Sequence, residues 1–199
     1  MVKTLTLASG STIRADLLRN AGVEIAVLPA RIDEGAIRMV MEAQGATPRN
    51  IADALAEAKA REIAEKNPTS LVLGCDQVAE VSGEILTKPE SPGDAAAQIR
   101  MLSGKQHRLL SAAVLFEHGR PVWRHVGQVS LQMRNISDSY LDAYIERNWE
   151  SIRHSVGGYK LEEEGVRLFS KVEGDYFTVL GLPLIELLSY LTIRGDLEI

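Results

Sequence analysis

What most constrains this chain is the alternation of short apolar runs with amphipathic stretches, a pattern that packs strands and helices in layers. Thr4 to Ala8 and Val23 to Leu28 read as strands, and Leu71 to Cys75 is an uninterrupted apolar run suited to a central strand. A helix is expected over 12–20, with Ile13, Leu17, Leu18 and Ala21 on one face and Gly22 as its stop. A second starts at Thr47-Pro48, a capping hydroxyl followed by proline at the first helical position, and runs through an Ala-rich stretch to Glu65. Val78 to Leu86 predicts a hairpin turning at Ser82-Gly83, and Leu109 to Phe116 and Val122 to Met133 predict two strands joined at His118-Gly119-Arg120. Helices should also run from Ser91-Pro92 to Ser103-Gly104, from Ser137 to near Asn148 and from Pro183 to Ile193, with strand and loop over 157–174. The fold class is therefore α/β or α+β.

Charge narrows the ligands. The 199 residues carry 22 Lys and Arg against 27 Asp and Glu, a formal net charge of −5. An acidic chain with only two Trp, five Tyr and three Phe is poorly suited to nucleic acid, which asks for surplus cations and stacking rings. It remains suited to a small polyanion, because one local group of cations can hold it. The single cysteine, Cys75, excludes an internal disulfide and reads as core. No apolar run approaches the roughly 18 residues needed to span a bilayer. The first residues pass from a short strand into small polar ones without a signal-peptide apolar region, so the expected setting is the reducing cytoplasm.

Four places can carry chemistry. Ser9-Gly10-Ser11 ends a strand and opens a helix, where unpaired N–H groups, two hydroxyls and Arg14 in the first turn would suit an anion. A capped helix with a surface arginine is the plain alternative. Lys59 stands in the i, i+4 row Ile51, Leu55, Lys59, Ile63, so it either snorkels to the edge or projects into a cleft holding an anion. Asp76 follows the central apolar run and is expected at a strand's carboxyl end, with Lys88 twelve residues on, at the end of the hairpin. A carboxylate able to hold Mg²⁺ or accept a proton from water, near a cation for phosphate, suits hydrolysis; a simple ion pair is equally compatible. Asp33-Glu34 reads as a solvated acidic loop that matters only if it returns to Asp76. The four histidines lack metal-site spacing, and Glu162-Glu163-Glu164 reads as a mostly solvated turn with one member able to face inward.

Together these segments resemble the Maf family of nucleoside triphosphate pyrophosphatases. The resemblance covers LASGSTIRADLL at 7–18, Asp33-Glu34, AEAKA at 56–60, GCDQV at 74–78 and GEILTKP at 83–89. It continues through MLSGKQH at 101–107, GGYKLEEEG at 157–165, VEGDYFTVLGLPL at 172–184 and the final helix. It implies one domain over 1–199, a mixed elongated central sheet flanked by helices, two lobes with a cleft between them, and often a homodimer. It also implies hydrolysis of a nucleotide's α–β phosphoanhydride, dependent on Mg²⁺ or Mn²⁺, to a nucleoside monophosphate and pyrophosphate. By motif position Ser9, Arg14, Lys59 and Lys88 would cradle the triphosphate. Glu34 and Asp76 would hold metal, with Asp76 also the base for the attacking water.

Two departures bear on specificity. Thr12 and Ile13 stand where the family usually has proline and a further basic or aromatic residue. Gln77 and Glu162 are similar to the subgroup acting on 7-methyl-GTP, in which an acid can balance the methylated base's charge and accept from its N–H edge. Ile13 offers only apolar contact where that subgroup has a stacking tryptophan. The expected preference is for modified or purine nucleotides. Non-catalytic nucleotide binding in the regulation of cell division and hydrolysis of ITP-like triphosphates are the competing functions.

Overall fold

A computed structural model describes residues 4–198. Seven strands form one mixed sheet flanked by helices: β1 (Leu5–Leu7), β2 (Ile25–Val27), β3 (Leu71–Val81), β4 (Glu84–Leu86), β5 (Gln106–Glu117), β6 (Arg120–Met133) and β7 (Phe169–Glu173). Their order is β2-β1-β3-β5-β6-β7, with β4 paired to β3. β1 pairs parallel with β2 and β3, whereas β4 on β3 and β7 on β6 are antiparallel. Both hairpins turn on two residues with positive φ, Ser82 (54°) with Gly83 (91°) and His118 (50°) with Gly119 (74°). Turns of that hand match strand twist, and the glycine in each takes the conformation without a Cβ penalty.

Helices α1 (Thr12–Asn20), α2 (Glu34–Ala43), α3 (Pro48–Lys66), α4 (Pro92–Leu102), α5 (Asp138–Ile152), α6 (Tyr176–Val179) and α7 (Leu184–Arg194) complete the elements, with 3₁₀ turns at Val156–Gly158 and Glu164–Leu168. Ser11, Thr47, Ser91 and Ser137 cap α1, α3, α4 and α5, each side-chain oxygen accepting a backbone N–H three residues on. No helix among the described residues is long and apolar enough to cross a membrane.

Two compact units share the chain. The first comprises 1–76, 111–127 and 181–199, the second 77–110 and 128–180, so the boundaries fall inside β3, β5 and β6. In the first unit β1, α1, α3 and the first half of β3 supply buried apolar residues, including Leu5, Leu7, Leu18, Ile51, Leu55, Leu71 and Leu73. Gly74 sets the spacing of α3 on β3. A Cβ there would lie 2.1 Å from the Ala56 carbonyl oxygen and 2.6 Å from the Ala60 nitrogen. Glycine opposite Ala56 and Ala60 lets helix and strand backbones touch, and Lys59 lies in that same turn of α3, between the two alanines. The second unit's core gathers residues such as Ile99, Leu102, Leu131, Tyr144, Tyr159 and Phe169. His107 is buried there, its Nε2 2.7 Å from Tyr159 Oη, and burial pushes the imidazole down to about 4, so it stays neutral.

Two expectations are corrected. β3 does not end at Cys75 but runs on to Val81, buried at every position except Gln77, so Asp76 lies in mid-strand rather than at a strand's carboxyl end. Asp33-Glu34 is not a loop. Asp33 caps α2, its Oδ1 accepting the Ala36 N–H at 2.9 Å, and Glu34 is that helix's first residue. An acid at each of these positions also suits the positive end of a helix dipole.

Candidate active site

Five of the residues singled out in the sequence meet in the first unit. Ser9, at 6% exposure, follows β1, and its Oγ accepts the Ser11 N–H at 3.3 Å and Arg14 Nη1 at 3.2 Å. Arg14 is gripped from two further sides: Nε donates to the Gly181 carbonyl at 2.7 Å and Nη1 to the Cys75 carbonyl at 3.3 Å. Three acceptors on three chain segments fix the plane of the guanidinium. Nη2 has no hydrogen-bond partner among the described residues, so the fork keeps donors for a phosphate oxygen. Gly181 is at φ 93°, and a Cβ there would meet Arg14 Nη2 at 3.0 Å and Nε at 3.1 Å. The turn is therefore glycine for two reasons, its backbone conformation and the guanidinium lying against it.

Lys59 does not snorkel. Its ammonium is 2.6 Å from Asp76 Oδ1 and 2.9 Å from Glu34 Oε1, with side-chain exposures of 11% for Lys59, 9% for Asp76 and 42% for Glu34. One buried cation thus serves two carboxylates. Burial raises the Asp76 carboxyl above the ordinary carboxylate range, while Lys59 and Arg14 pull it down and Glu34 adds a smaller upward push. Cys75 beside it is a buried thiol pushed up to about 11, which makes it inert.

The donor set suits one hard cation. Two carboxylates on a common ammonium, beside donors for phosphate, are what Mg²⁺ or Mn²⁺ uses when substrate oxygens and waters supply the remaining ligands. Among the described residues there is no cluster of three or more His, Cys, Asp or Glu able to hold a metal by themselves.

The remaining expected residues fall elsewhere on the chain. Ile13 is half-buried on α1 in the first unit. Gln77, Lys88 and Glu162 belong to the second unit. The Gln77 amide nitrogen donates to the carbonyls of Thr178 at 3.2 Å and Val179 at 2.9 Å. Lys88 and Glu162 are both exposed. The backbone carbonyls of Cys75 and Gly181 that hold Arg14 had no sequence signal of their own, since every residue type carries that acceptor. Asp33 did have one, as a capping residue ahead of a helical pattern.

A mixed α/β fold that sets a strand-to-helix turn and Arg14 near a lysine-bridged pair of acids suits a phosphate-bearing ligand. Comparison with known proteins makes this specific. The model of the family described as Maf-like protein matches residues 4–193, and the chain belongs to that family. A nucleoside triphosphate pyrophosphatase of Ruegeria pomeroyi is 58% identical over 198 residues, covering 100% of both chains. One of Roseobacter denitrificans is 59% identical over 197 residues, 99% of each. A 7-methyl-GTP pyrophosphatase of Brucella abortus is 44% identical over 191 residues, 96% of each.

Proposed function

We propose that this chain hydrolyses nucleoside triphosphates to a nucleoside monophosphate and pyrophosphate. The observation that carries the reading is the convergence of Arg14, Lys59, Ser9, Glu34 and Asp76 within one compact unit. Full-length relatives named for that activity support it. A triphosphate carries close to four negative charges, so water approaching its α-phosphorus meets strong repulsion. Arg14, already oriented by three acceptors, and Lys59 offset that charge without reorganising, and each well-placed donor contributes about 3 kcal/mol to the transition state. Ser9 Oγ adds a hydroxyl at the strand end. Asp76 takes the proton of the attacking water and orients it in line with the departing pyrophosphate. Its raised proton affinity improves it as a base. Glu34 and Asp76 would hold the divalent cation, which when bound neutralises phosphoryl oxygens.

Lys88 is proposed as a further phosphate cation, and Gln77, Glu162 and Ile13 as the residues that set base preference. A free carboxylate such as Glu162 accepts from a guanine N–H edge and balances a methylated base's charge, so GTP-like or 7-methylated substrates are favoured. The buried, inert thiol fits a cytoplasmic setting.

Pyrophosphate release from a panel of nucleoside triphosphates, with and without Mg²⁺ or Mn²⁺, tests the reading. The expected result is metal-dependent pyrophosphate without inorganic phosphate, fastest on purine or 7-methylated substrates. Tight nucleotide binding without any product would favour a non-catalytic regulator. Much faster turnover of dTTP and UTP would overturn the base preference alone.

A further inference from the structure

Three consecutive acids in the second unit are treated very differently. Glu164 accepts from Arg147 Nη2 at 2.7 Å and Nε at 3.2 Å, from Asn148 Nδ2 at 2.9 Å and from Tyr140 Oη at 3.1 Å. Arg167 stands 3.6 Å away. Glu163 accepts from Ser151 Oγ at 2.7 Å and Lys160 Nζ at 3.1 Å, and Lys160 also donates to Ser151 at 2.7 Å. Glu162, between Lys160 and this pair, is exposed and makes no hydrogen bond or ion pair among the described residues.

The partners share one origin. Tyr140, Arg147, Asn148 and Ser151 recur along α5 at spacings that put them on one helix face. The turn also closes on itself, since a Cβ at Gly165 would lie 2.4 Å from the Lys160 carbonyl oxygen and 2.8 Å from its nitrogen. An isolated surface ion pair contributes at most about 1 kcal/mol. Here one carboxylate collects a bidentate arginine, an amide and a phenol on a regular helix, and the guanidinium holds its carboxyl down to about 2. The result is a short turn fixed at both ends that presents a single uncommitted carboxylate.

We propose that Glu164, assisted by Glu163, is a positioning residue for Glu162 and thereby sets how sharply the enzyme discriminates among bases. The inference rests on the proposed role of Glu162 at the base and goes beyond it. A carboxylate that reads an N–H edge discriminates only when its direction is held before binding. Otherwise the turn must be ordered at the substrate's expense. The signature of positioning is a change in selectivity, and that of a purely structural staple is a loss of stability at constant selectivity.

The experiment measures kcat and KM for GTP, 7-methyl-GTP, dTTP and UTP in the wild type, Glu162→Gln, Glu164→Ala and Arg147→Gln, with a thermal melt of each. Arg147→Gln weakens the same anchor from α5 and serves if Glu164→Ala folds poorly. The expected result is that the ratio of kcat/KM for purine over pyrimidine substrates falls about ten-fold in Glu162→Gln and by a similar factor in the two anchor variants. The fall should appear in KM for the purine substrates rather than in kcat. If Glu162→Gln collapses the ratio while both anchor variants keep it, the positioning role is overturned and the base-reading role survives. If Glu162→Gln leaves the ratio unchanged, the base-reading role fails and the inference fails with it.

Discussion

Replacing Asp76 by asparagine is expected to lower kcat by about a thousand-fold while leaving the fold and its melting temperature nearly unchanged. The exchange keeps shape and hydrogen-bonding capacity but removes the carboxylate proposed both as proton acceptor and as one of two metal ligands. Stability should hold because the lost charge is a buried one whose protonation burial already favours, and because Glu34 still accompanies Lys59 at 2.9 Å. Circular dichroism, a thermal melt and single-turnover kinetics at saturating Mg²⁺ separate the two effects. Turnover within about ten-fold of wild type would remove Asp76 from the mechanism.

Lys59→Met should damage both catalysis and stability, in different pH ranges. Methionine preserves the apolar row with Ile51, Leu55 and Ile63, so the change isolates the ammonium. Loss of that charge takes away the proposed phosphate partner and leaves Asp76 buried beside Glu34, with Arg14 the remaining cation acting on it among the described residues. The expected fall in kcat/KM is about a hundred-fold or more. Lys59 now pulls the Asp76 carboxyl down against the effect of burial, so its removal moves the acid limb of the kcat/KM profile to higher pH. The sign for stability follows from linkage. A carboxyl whose folded pKa lies above its unfolded one favours the folded state at low pH and disfavours it once ionised. The variant should therefore lose about 3 kcal/mol at neutral pH and recover most of it as the pH falls toward ordinary carboxylate values. Melts across that range test this, and an equal deficit at every pH would point to packing loss instead.

Much of the fold was readable where local chemistry decides it. The bounds of α1 were recovered to the residue because Ser11 caps it and Gly22 stops it at φ 76°. Ser82-Gly83 and His118-Gly119 announced their hairpins because few residue pairs adopt those dihedrals. Lys59 was recognisable as an intruder in an apolar helical row. Other features depend on the tertiary fold. The continuation of β3 was hidden because Gln77 and Glu80 interrupt the apolar pattern, although Glu80 is buried and paired with Arg108 at 2.6 Å. Helix α2 buries no residue fully, yet its half-buried Glu34, Ile37, Arg38 and Met41 recur at helical spacing behind the Asp33 cap. Its signal was present in the sequence and was hidden only by reading the adjacent acids as a solvated loop. The grip on Arg14 comes from carbonyls at Cys75 and Gly181, which only the folded chain brings to one guanidinium. The anchoring of Glu164 depends likewise on α5, more than a dozen residues away in sequence.

The most direct measurement is hydrolysis in ¹⁸O-labelled water with product analysis by mass. On the proposed mechanism, in which Asp76 orients the water and Arg14 and Lys59 offset the charge of a departing pyrophosphate, attack falls on the α-phosphorus. The label is then expected in the nucleoside monophosphate alone. Label in pyrophosphate or in inorganic phosphate would show attack at another phosphorus and contradict the arrangement.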